Sequence, residues 1–156
     1  MTGFHHKIQI ASPDATRALA VRLGAGLTPG DCLMLAGPVG AGKTHFARSL
    51  IKSLLEVPED VPSPTFTLVQ EYETTRGPLW HADLYRLSGP GEIEELGLRD
   101  AFDTAICLIE WPDRLGPDAP QDALWITLKP EPREDARVAE LRSTSNHWAP
   151  MVEALA

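Results

Sequence analysis

Cysteine is scarce: the chain has two, Cys32 and Cys107, and neither stands in metal-ligand spacing. A disulfide framework and a zinc module are both excluded. Each cysteine lies in an apolar, strand-like run and is expected to be a buried free thiol, as suits a reducing compartment. Positive charge is also short, with 14 Lys and Arg against 22 Asp and Glu and a formal net charge of −8. That balance excludes a broad surface gripping nucleic-acid phosphates, because such surfaces work by Lys and Arg displacing counterions. Any link to nucleic acid is expected to be indirect. There is no apolar run of about 18 residues and no charged-then-apolar leader pattern, so a soluble, cytoplasmic chain with no membrane contact is expected. At 156 residues, 43 % apolar and 23 % charged, residues 1–156 fit one globular domain.

What the chain does have is a complete G-x-x-x-x-G-K-[ST] phosphate loop, Gly37-Pro38-Val39-Gly40-Ala41-Gly42-Lys43-Thr44, set between the apolar run Cys32–Ala36 and a helix-like stretch. The chemistry explains the residue types. Glycines let the backbone turn with positive φ and bring N–H groups up to phosphate oxygens, Lys43 reaches the β and γ phosphates, and the Thr44 hydroxyl ligates Mg²⁺. The helix that opens there adds the positive end of its dipole. ATP and Mg²⁺ are the expected ligands.

The rest of the chain reads as alternating strands and helices. A strand over Lys7–Ala11 precedes Ser12-Pro13-Asp14, a helix cap with proline in the first turn, and a helix to about Ala25. Phe46, Leu50, Ile51, Leu54 and Leu55 mark the apolar face of the helix after the loop. Beyond the break at Pro58–Pro64, strands are expected at Phe66–Val69 and Leu79–Leu84 with Gly77-Pro78 turning between them. A short acidic helix through Leu96, a doubly buried strand at Ala105–Ile109, strands at Ala123–Leu128 and Val138–Leu141, and a helix over His147–Leu155 complete the pattern. The expected fold is α/β: a single P-loop NTPase domain with a mainly parallel central sheet flanked by helices and an antiparallel insertion.

A phosphate loop needs an acidic partner for its metal, usually a carboxylate at the end of a buried parallel strand. Glu110 closes Ile106-Cys107-Leu108-Ile109 and is the first candidate; a solvated strand-end carboxylate is the plainer reading of the same residue. Asp83 is the second. Alternation through His81-Ala82-Asp83-Leu84-Tyr85 puts His81, Asp83 and Tyr85 on one face, either a functional cluster or a polar edge. Ser63-Pro64-Thr65, framed by proline, reads as a loop that can move and offer a hydroxyl, or as a plain turn into a strand.

Together with the phosphate loop, the segments Ser63–Val69, His81-Ala82-Asp83-Leu84-Tyr85-Arg86-Leu87, Glu94-Glu95-Leu96-Gly97-Leu98-Arg99-Asp100 and Ile106-Cys107-Leu108-Ile109-Glu110-Trp111-Pro112 closely resemble the TsaE family, over roughly residues 5 to 145. These are the small ATPases of tRNA threonylcarbamoyladenosine biosynthesis. The resemblance implies ATP hydrolysis in support of a transferase complex that modifies the adenosine next to the anticodon, with the TsaB and TsaD subunits as partners and tRNA met only through them. It implies Thr44 and Glu110 around Mg²⁺, Asp83 near the γ phosphate, its water or the metal, and Thr65 in a loop sensing the γ phosphate. Where family members commonly carry a second small hydroxyl residue after the motif threonine, this chain has His45; its backbone N–H is expected at the α phosphate without a side-chain contact. Trp111 reads either as a partner-facing or nucleotide-near aromatic or as a packing residue.

Two other functions use the same residues. A P-loop small-molecule kinase would carry extra basic residues over the transferred phosphate, yet only Arg114 lies between Trp111 and Lys129. A nucleotide-dependent binding module with negligible turnover would need nothing further.

Overall fold

The computed structural model describes residues 4–38, 42–62, 68–87, 91–131 and 136–153. Seven strands form one sheet: β1 (Phe4–Ile10), β2 (Cys32–Ala36), β3 (Val69–Thr74), β4 (Gly77–Asp83), β5 (Ile106–Glu110), β6 (Leu124–Pro130) and β7 (Arg137–Ser143), in the spatial order β1-β7-β6-β2-β5-β4-β3. The helices are α1 (Pro13–Gly24), α2 (Lys43–Leu54), α3 (Gly91–Leu96), α4 (Leu98–Thr104) and α5 (Ala149–Glu153), with 3-10 turns at Pro112–Asp118 and Asn146–Trp148.

Both faces of the central strands are covered, which is why their sequences are unbroken apolar runs rather than alternating ones. Along β2, Leu33 and Leu35 enter one core while Cys32 and Met34 enter the other; along β5, Ile106 and Leu108 part from Cys107 and Ile109 in the same way. The first core is closed by Leu19 and Leu23 of α1 and by Phe46, Leu50, Ile51 and Leu54 of α2. The second is closed by Ile93, Leu98 and Ala101 of α3 and α4. Cys32 and Cys107 are buried free thiols as expected, register partners on adjacent strands. Burial pushes both above the ordinary thiol range, Cys107 to about 12, so neither offers a ready thiolate.

Helix α1 begins where the sequence says it should: the Ser12 hydroxyl accepts from the Ala15 N–H at 3.1 Å and Pro13 occupies the first turn. The sheet differs from expectation. It is mixed, not mainly parallel, with three parallel pairings (β6–β2, β2–β5, β5–β4) and three antiparallel ones (β1–β7, β7–β6, β4–β3). The cause lies at both flanks. Strand β3 folds back on β4 as the expected hairpin, but β7 also reverses on β6, and β1 joins β7 from the far end of the sequence. Tyr85 lies beyond the end of β4, in a turn, and does not share the strand face of His81 and Asp83. Among the described residues no helix is long and apolar enough to cross a membrane.

Candidate functional site

The parallel strands β2, β4 and β5 deliver their carboxyl ends to one place. Counting by twos from core residues fixes which side chains arrive there, since alternate residues share a face. Leu79, on the α2 face of β4, is followed by His81 and Asp83; Ile106 and Leu108, on the α2 face of β5, are followed by Glu110. Asp83 and Glu110 are direct register partners. Opposite them α2 begins at Gly42, whose φ of 102° lies in the left-handed region and which offers no side-chain cap. The first N–H groups of α2 are thus left for a ligand.

These residues are joined. The Thr44 hydroxyl donates to Glu110 Oε1 at 2.8 Å, and Glu110 Oε2 lies 2.7 Å from His81 Nε2. Glu110 and His81 are 2 % and 0 % exposed. A buried charge persists only when it is paired, so the plainer reading of Glu110 as a solvated strand end is excluded. Asp83, also buried, accepts from the Tyr85 N–H at 3.0 Å. Lys43 Nζ donates to the carbonyls of Gly37 and Pro38 and sits 3.7 Å from the centroid of the Trp111 ring. Burial lowers the Lys43 ammonium below the ordinary lysine range, against the opposing pull of Glu110, Asp83 and Asp113. Asp113 had no signal in the sequence beyond standing three residues past Glu110.

A cleft of about 300 Å³ is lined by Gly42, Lys43, Thr44, His45, Asp83, Glu110 and Trp111. Trp111 takes a left-handed conformation (φ 59°, ψ 53°), which turns the chain out of β5 and lays its ring between Lys43 and Tyr85, the latter with centroids 4.8 Å apart. The ring therefore belongs to the cleft wall. His45 points elsewhere: its Nε2 meets the Pro13 carbonyl at 3.1 Å and ties α2 to the start of α1. Of the expected phosphate-loop residues, Gly37, Pro38, Gly42, Lys43, Thr44 and His45 are described, whereas Val39, Gly40, Ala41 and the loop residue Thr65 lie outside the described residues.

Among the described residues no group of three or more His, Cys, Asp or Glu side chains could hold a metal by itself. One hydroxyl, one buried carboxylate and a second carboxylate beside it form instead the donor set that suits Mg²⁺. That ion keeps several waters and is completed by phosphate oxygens rather than by an all-protein cage.

A family model described as "Threonylcarbamoyl adenosine biosynthesis protein TsaE" matches residues 10–139. The Bacillus subtilis protein named tRNA threonylcarbamoyladenosine biosynthesis protein TsaE is 35 % identical over 150 residues, 96 % of this chain and 92 % of that one. A Rickettsia felis protein of the same name is 44 % identical over 98 residues, 63 % of this chain; the match spans only 57 % of that relative's length. Among solved structures, that of Bacillus subtilis YdiB superposes with a TM-score of 0.78 at 30 % identity, covering 99 % of this chain and 96 % of that one.

Proposed function

The chain belongs to the TsaE family, and from that premise we propose that it is a single P-loop domain that binds and hydrolyses ATP in support of tRNA threonylcarbamoyladenosine biosynthesis. The observation that carries the proposal is the 2.8 Å contact between the Thr44 hydroxyl and Glu110 Oε1. It unites the last residue of the phosphate loop with the carboxylate that ends a buried parallel strand, the two parts a nucleotide–metal site requires.

In the proposed reaction water attacks the γ phosphorus as the bond to the β–γ bridging oxygen breaks, giving ADP and inorganic phosphate. The first N–H groups of α2 and the Lys43 ammonium bind the phosphates. Lys43 is held ready for this by weak partners, two carbonyls and an aromatic face, which a charged phosphate oxygen outcompetes. Thr44 and Glu110 would hold Mg²⁺, which when bound neutralises charge on the triphosphate. Asp83, level with Glu110 on the neighbouring strand, orients the attacking water or completes the metal's ligands. Thr65 is assigned to a loop that senses the γ phosphate. The formal charge of −8 supports an indirect route to tRNA, through the TsaB and TsaD transferase subunits.

The test is reconstitution. The chain, TsaB, TsaD, tRNA, threonylcarbamoyl donor and ATP should give many modifications per complex, and omission of the chain or of ATP should abolish multiple turnover. Equal modification without the chain overturns the reading, as does phosphorylation of a small hydroxyl acceptor from a metabolite panel at a rate exceeding ATP hydrolysis.

A further inference from the structure

The carboxylate of Glu110 has two ends with two different jobs. Oε1 receives the Thr44 hydroxyl, both residues lining the cleft, while Oε2 lies 2.7 Å from Nε2 of His81, which is fully buried. A carboxylate oxygen only accepts, so the ring proton lies on Nε2. His81 Nδ1 is buried and has no hydrogen-bond partner among the described residues. A histidine kept in the core merely to satisfy itself would use both nitrogens; this one is committed through one nitrogen to one oxygen.

From this geometry we infer that His81 is a positioning residue, which clamps Glu110 through Oε2 so that Oε1 and the Thr44 hydroxyl remain presented to the cleft. The inference rests on the nucleotide–metal reading of that cleft and deepens it. Lys43 is close enough for its ammonium to feel the charge of Glu110. A carboxylate free to turn would be drawn to that ammonium, and the pairing would withdraw both the anion meant for the metal and the cation meant for the phosphate. His81 opposes the turn from the far side. It can do so because β4 and β5 are parallel neighbours with His81 level with Leu108, one alternation step before Glu110 on the same face. Residues behind metal-binding side chains commonly govern metal affinity by 10- to 100-fold in this manner.

Three substitutions of His81, an E110Q background and calorimetry decide the matter. In H81L the apolar side chain cannot donate; ATP binding should weaken without Mg²⁺, as Lys43 is drawn to the freed Glu110, and weaken further with it, so that the gain in ATP affinity on adding Mg²⁺ falls by about 10-fold. H81Q, whose amide nitrogen extends about as far from the backbone as Nε2, should restore most of the gain; H81N, whose amide falls short, should not. Should H81L fail to fold, the difference between H81Q and H81N carries the same information. In an E110Q background H81L should add no further loss of Mg²⁺ dependence, whereas a general structural role would add one. A Mg²⁺ dependence in H81L equal to the parent's, or equal losses in H81Q and H81N, overturns the clamp. A parent that binds no ATP with or without Mg²⁺ overturns the nucleotide reading itself, so the two failures are distinguishable.

Discussion

Replacing Lys43 by Met should have two opposite effects, both traceable to one buried ammonium. Lys43 is 6 % exposed and held by the carbonyls of Gly37 and Pro38 and the face of Trp111. Burial outweighs the attraction of Glu110, Asp83 and Asp113, and its pKa is lowered from 10.5. The site is thus a poor home for the charge until an anion arrives. Methionine keeps most of the volume, retains a favourable contact with the Trp111 ring and removes the desolvation cost. The nucleotide-free variant should melt higher than the parent, by about 2–4 °C for each kcal/mol released in a chain of this size. Binding should move the other way. Each charge-assisted hydrogen bond to phosphate is worth about 1.5–3 kcal/mol, so the Kd for ATP should rise at least about 10- to 100-fold. The pH dependence follows from the sign of the shift. With the folded value below the unfolded one, the unfolded chain binds more protons between them, so the parent gains stability as pH climbs through that alkaline interval. The stability gap between variant and parent should therefore close as pH rises towards 10.5. Scanning calorimetry from neutral to alkaline pH and titration calorimetry with ATP measure both arms. A variant that melts below the parent at neutral pH, or binds ATP as tightly, refutes the reasoning.

Glu110→Gln and Asp83→Asn keep side-chain volume while removing negative charge from the cleft, and each should lower ATP turnover about 10²-fold with the fold intact; parental rates for both in the complete assembly would show that the carboxylates are misassigned. Association with TsaB and TsaD should differ between ATP, ADP and no nucleotide in a pull-down, because a γ-phosphate-sensing loop has two states to offer a partner; identical capture in all three denies the switch. Gly77→Ala should cost more than about 1 kcal/mol, since Gly77 has a φ of 117° and a Cβ would meet Pro29 Cγ at 2.8 Å. Chemical denaturation reads that cost, and an unchanged midpoint would mean that the β3–β4 turn is not fixed where it is described.

The parts of this fold legible in the sequence are those governed by short-range rules. Cys32–Ala36 and Ile106–Glu110 announce doubly covered strands by being apolar at every core position, Ser12-Pro13 announces a helix start, and Phe46, Leu50, Ile51 and Leu54 keep helical spacing. Boundaries set by exceptional backbone conformations were not legible. Leu68 reads as strand but has a φ of 67°, and β3 begins at Val69; Phe66 and Thr67 of the expected strand lie outside the described residues. Gly77-Pro78 reads as the turn, yet the turn is Thr75-Arg76; Pro78 is tolerated near the start of β4 because the parallel pairing with β5 begins only at Leu79. Helix α4 carries no signal in the sequence because Gly97, with a φ of 77°, divides it from α3 and leaves a segment too short to show a period. In the site, the pairing of Asp83 with Glu110 required knowing that β4 and β5 are neighbours, which periodicity alone does not reveal. The role of His81 was hidden for the same reason. Nothing in His-x-Asp says that the histidine reaches across to the next strand.

Strand β1 has one neighbour in the sheet, and that neighbour is β7. During synthesis on a ribosome β1 must therefore wait for β7, emerging as an unpaired ribbon while the phosphate loop, the β3–β4 hairpin and the central strands are still being added. The phosphate loop follows β2 and the carboxylates end β4 and β5, strands whose mutual pairing does not involve β1, so the nascent chain can gather the pieces of its cleft before its own border is sewn. A chain cut short after residue 130 would keep β3, β4, β5, β2 and β6 but leave β6 as a new bare edge opposite the standing edge β3, with β1 unpaired, each open to pairing with another chain. Closure of the sheet thus turns on the β6–β7 hairpin, which contributes no described residue to the lining of the cleft.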